Sequence, residues 1–134
     1  MRFAPREGDL VIVTPPAQLS DVIVDTLLAE LTAHLSRGEP YVLLFNLSSA
    51  GVPNAIQRRK LAEHMATHDV SVRRVVRGLA IVAPSPLIRG MVTAMFWIVA
   101  PPIPYQMCGT LAEARTWAQG IMPNTHLVPG RPSA

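Results

Sequence analysis

The stretch that most constrains this chain runs from Ser85 to Ala100. Its second half, Met91-Val92-Thr93-Ala94-Met95-Phe96-Trp97-Ile98-Val99-Ala100, holds no charged residue, and Pro101-Pro102 closes it. Ser85 suits an N-cap and Pro86 suits the first helical position, so the stretch predicts a helix that proline terminates. A helix apolar on nearly every side needs cover on several faces, from a sheet and its neighbours, a partner or a ligand. A bilayer span needs ~20 apolar residues, and this run is shorter and broken by prolines. No membrane span is expected.

The remaining strands and helices follow from turn and cap chemistry. Arg2–Pro5 predicts a short strand, Arg6-Glu7-Gly8-Asp9 a turn, and Leu10-Val11-Ile12-Val13-Thr14 a buried β-branched strand. Ser20 caps a helix whose Ile23, Val24, Leu27, Leu28, Leu31 and Leu35 form one face, and Gly38 ends it. Tyr41–Leu47 is almost continuously apolar, as a central strand covered on both faces is. Asn54 and Gln57 form a capping-box pattern for a helix to about His68, with Asp69–Arg74 as a connection and Val75–Ala83 as the next strand. Pro104–Cys108 predicts an edge strand, and Thr110 with Glu113 caps a last helix facing inward through Leu111, Ala114, Trp117, Ala118 and Ile121. The expected fold class is α/β, in the order ββαβαβαβα. It is a mixed, mostly parallel five-stranded sheet with four helices. Residues 1–122 make one domain, and residues 123–134 read as an extended tail.

Composition narrows the function classes. Hydrophobic residues are 49% and charged ones 16%, which points to an apolar contact surface beyond the core. Charge is uneven. Residues 1–57 carry three arginines against six acids, whereas residues 58–89 carry seven basic residues against two acids. Such a divide fits an acidic protein partner, or a second copy docked in the opposite orientation. Aromatics are 5% and none interleave with the basic run, so nucleic acid is not expected. The single Cys108 and the absence of an N-terminal apolar signal segment fit a cytoplasmic protein.

Candidate chemistry is sparse. His64 and His68 lie four apart on one helix face, a spacing that suits a metal, but no third ligand is near, so they read as surface histidines and no metal is expected. Cys108 lacks a neighbouring base and reads as a small buried hydrophobe. Gly51 and Gly78 stand alone, so no phosphate loop is expected, nor any other cofactor.

The turn Glu7-Gly8-Asp9, the strand Leu10–Thr14, the Ser20 helix and the strand Tyr41–Leu47 entering a serine loop resemble the STAS fold of the anti-sigma-factor-antagonist (SpoIIAA-like) family. Arg58-Arg59-Lys60-Leu61-Ala62, Pro84–Gly90 and Leu111–Trp117 look like the bacterial STAS/SEC14-like subgroup, and the likeness spans residues 2–122. It implies a single STAS-like domain acting as a non-catalytic, self-associating interaction module in bacterial regulation. Asn46-Leu47-Ser48 stands where signalling members carry Asp-Leu-Ser. Their downstream Asp-Ser-Ser-Gly is missing, its place taken by residues near Pro53-Asn54-Ala55. Ser48 and Ser49 are left as the candidate phosphorylation sites. The expected contact residues are Arg58, Arg59, Arg89, Met95 and Trp97, on the second helix and the Ser85–Ala100 helix. The alternative is a module for a small hydrophobic ligand or lipid. That reading requires a cavity lined by methionine or aromatic side chains.

Overall fold

The computed structural model describes residues 3–98 and 100–126. In chain order the elements are β1 (Arg6–Glu7), β2 (Leu10–Val13), α1 (Asp21–Arg37), β3 (Tyr41–Asn46), α2 (Ala55–Thr67), α3 (Asp69–Val75), β4 (Val76–Val82), α4 (Pro86–Ile98), β5 (Tyr105–Cys108) and α5 (Leu111–His126). The chain is α/β, as expected, with one five-stranded mixed sheet in the order β1-β2-β3-β4-β5. β1 is antiparallel to β2, and every later neighbour pair is parallel. β3 lies at the centre, where a continuously apolar strand belongs.

Cap chemistry forms as the residues dictate. Ser20 Oγ accepts the Ile23 amide, and Gly38 closes α1 at φ 73° with its amide donated to Leu35. Asn54 and Gln57 form both halves of their capping box. Thr110 and Glu113 exchange the same pair of bonds before α5.

Three expectations need correction. Among the described residues the helices number five, because Asp69–Val75 is helical. Val70, Val72 and Val75 have low helix propensity, which hid this element. It forms because Asp69 sits in its first turn, paired with Arg73 at 2.8 Å, and because Val75 is buried. The first strand is Arg6–Glu7, in what read as a turn, since the two-residue Gly8-Asp9 link is enough once Gly8 takes φ 58°. Residues 3–5 still follow β2, whose Ile12 and Thr14 amides donate to Pro5 and Phe3 carbonyls. Finally, α5 runs on to His126, so residues 123–126 are not an extended tail; residues 127–134 lie outside those described.

The strand pattern sorts side chains to two faces. Ile12, Val42, Leu44, Ala80 and Val82 meet α5 through Ala114, Trp117 and Ala118. Small residues let that helix come close: a Cβ on Gly78 would stand 3.0 Å from Trp117 and Ile121 side-chain atoms. On the other face Val11, Val13, Leu43, Phe45, Leu79 and Ile81 look toward α1, α3 and α4.

Candidate functional site

That second face is not filled. Between the sheet and the helices over it lies an apolar cavity of about 230 Å³. Leu43 and Phe45 of β3 and Leu79 and Ile81 of β4 form its floor. One wall is the leucine stripe of α1, from Val24 through Leu27, Leu28 and Leu31 to Leu35. The opposite wall is α4, which presents Ile88, Met91, Val92, Met95 and Phe96 at helical spacings of three, one, three and one. Pro101, Pro102 and Ile103 continue that wall, and Pro15, Leu19, Ala50, Gly51 and Pro53 close one end.

The roof explains the gap. α2 shows the cavity Arg58, Leu61, His64 and Met65, and the only residue it buries is Gln57. Polar bonds hold it to the start of α1. Gln57 Nε2 donates to the Leu19 carbonyl and to Asp21, and Lys60 pairs with Asp25 at 2.8 Å. A helix tethered along one edge, with few large apolar side chains, does not reach the sheet. The space beneath it stays open.

Polar groups on the lining are few. Tyr41, buried at the start of β3, has its hydroxyl pushed up to about 12 by burial, against the opposing charge of Arg6. His64 is pushed down to about 4, first by burial and then by His68, whose ring centroid lies 4.4 Å away. His64 is therefore neutral at pH 7, and it is a cavity residue where a surface histidine was expected. Among the described residues no three His, Cys, Asp or Glu side chains converge as metal ligands. Arg58 is the one charged residue of the lining. Its Nη1 donates to the Pro53 carbonyl at 2.8 Å, and among the described residues no carboxylate pairs with it.

The five residues singled out from sequence divide. Arg58, itself exposed, and Met95 both line this cavity. Arg59 is exposed and off the lining. Arg89 is exposed and donates from Nε to the Ala83 carbonyl. On α4, Trp97 is 84% exposed and Leu87, ten residues earlier, 65% exposed. Within one chain a single stripe of α4 is covered, where it crosses between β4 and the edge strand β5, so cover for its outer face is left to a partner. Ser48 and Ser49 are exposed, and Ser48 is held by Asn46 Oδ1, which accepts its amide and its hydroxyl. Cys108 is buried, and its thiol is pushed up by burial and by Glu113, with Arg89 opposing. Such a thiol stays protonated and packs as a small hydrophobe.

Leu61, His64 and Met65 were not singled out as site residues. Their stripe with Arg58, at spacings of three, three and one, was the available signal. No protein-family model, curated protein or solved structure matches the chain. No helix among the described residues is long and apolar enough to cross a membrane.

Proposed function

We propose that this domain binds a small hydrophobic ligand in the cavity between the sheet and helices α1, α2 and α4. The observation that carries this reading is the cavity of about 230 Å³, walled by aliphatic, methionine and aromatic side chains from four helices and two strands. Apolar pockets of this kind take up apolar guests, whose burial replaces the contacts that the lining lacks. Met65, Met91 and Met95 supply unbranched side chains that adapt to a guest's shape. The antiparallel β1 followed by four parallel strands supports a STAS-like reading of the fold, and the ligand role matches the lipid-binding side of that resemblance. Native mass spectrometry of the purified chain tests the proposal. The expected result is a bound small molecule, or uptake of added decanol at one equivalent. A chain that takes up neither overturns it.

A second reading has its own observation. Trp97 stands 84% exposed on α4, and a large apolar side chain so placed favours a protein contact, such as a second copy of the chain. This surface is separate from the cavity, so a self-associating, non-catalytic regulatory module and a ligand-binding module are compatible in one domain.

A further inference from the structure

The nature of the ligand's head group rests on one residue, and this inference depends on the cavity being a ligand site. We infer that the cavity takes an anionic amphiphile: a single aliphatic chain lying beneath α2 and α4, with its acidic head at Arg58. Three observations carry this. First, Arg58 is the charged residue of a lining that is otherwise almost wholly carbon. Second, its partner is a neutral one, the Pro53 carbonyl at 2.8 Å, and no ion pair among the described residues includes it. A guanidinium carries five donors, so most remain for an incoming acid. Third, Arg58 stands in the first turns of α2 while Leu61, His64 and Met65 follow it along the same stripe. A chain whose head sits at Arg58 lays its methylenes along Leu61 and Met65, over the floor of Leu43 and Leu79.

His64 does not compete for the head. It lies farther along the stripe, half-buried and with His68 at 4.4 Å between ring centroids, and burial first and then that neighbour disfavour its charged form. Glu63, on the same helix, is exposed and off the lining, so no carboxylate of the cavity repels the acid. Charge-assisted hydrogen bonds are about twice as strong as neutral ones, so one such contact decides between an acid and an alcohol of equal length.

The test titrates the whole chain with decanoate, decyl phosphate and decanol by calorimetry, for the wild type, Arg58→Gln and Arg59→Gln. Arg59 is the control, because it has the same charge one position away and does not line the cavity. The expected result is that the acids bind about tenfold tighter than decanol to the wild type and to Arg59→Gln, and equally to Arg58→Gln. Preference for decyl phosphate over decanoate identifies a lipid-phosphate head; the reverse identifies a free fatty acid. Decanol binding that matches the acids in all three proteins overturns the head-group inference and leaves the cavity function standing. Equal loss of acid binding in Arg58→Gln and Arg59→Gln also overturns it, since that is a general charge effect. Failure of every ligand overturns both.

Discussion

Val92→Phe tests the empty space directly. Val92 is half-buried on α4, packs beside Leu79 and Ile81, and lines the cavity. Phenylalanine adds about four carbons, each worth about 0.8 kcal/mol if fully buried, for a ceiling near 3 kcal/mol. Fixing the longer side chain and imperfect fit reduce this to the usual cavity-filling gain of about 0.5–2 kcal/mol. In urea, with a slope of about 1–3 kcal/mol/M, the midpoint should rise by roughly 0.5 M. The same substitution should weaken decanol binding at least about tenfold, because ring and guest need the same volume. Gly78→Ala on the opposite face is the matched contrast. There a new Cβ meets Trp117 and Ile121 atoms at 3.0 Å, and overpacking should cost about 1–3 kcal/mol. Urea melts followed by circular dichroism read both. A Val92→Phe midpoint that falls like that of Gly78→Ala would refute the reasoning, since it would mean that both faces are already packed.

Further outcomes follow from single groups. Glu30 accepts the Phe3 and Ala4 amides at 2.8 and 2.9 Å, so Glu30→Ala should cost about 1–3 kcal/mol and speed hydrogen exchange at those amides; unchanged exchange would contradict it. His64 sits near 4 in the folded chain against an ordinary 6.5, so the unfolded chain binds the proton first as pH falls. Stability should therefore hold above pH 6.5 and decline from there toward pH 4. The ring is only half-buried, and screening limits the loss to about 1 kcal/mol. His64→Gln should flatten that decline, and an unaltered slope in urea melts would assign it to other groups. Trp97→Glu should keep the circular dichroism spectrum and stay within about 0.5 kcal/mol of wild type, because the ring is exposed. If α4 mediates self-association, light scattering should show a lower mass for this variant; equal masses would exclude that contact.

Much of the fold was legible because local chemistry and pattern agree. Ser20 with Gly38, Asn54 with Gln57 and Thr110 with Glu113 mark helix ends by bonds that the structure contains. The run Tyr41–Asn46 announced a central strand by its lack of polar alternation. The missed helix α3 shows the limit of propensity. Its valines favour strand, and only burial of Val75 and the Asp69–Arg73 pair reverse that. The cavity was legible in kind, through the methionines, but not in existence. Its volume depends on how far α2 stands from the sheet, and that distance is set by Gln57 reaching back to Leu19 and Asp21 across a long sequence separation. Arg58 read as part of a basic run, and nothing in its neighbours separated it from Arg59. Both are exposed, and only the placement of α2 brings Arg58 to the edge of the cavity.

The space over β3 and β4 should admit an apolar guest. Methyl NMR of the methionines during titration with decanol tests it most directly. Met65, Met91 and Met95 line the cavity, while Met107 packs against the same core cluster from outside the lining. The first three methyls should shift and saturate at one equivalent, with Met107 moving less. No shift at all, or an unsaturating drift shared equally by all four, would contradict it.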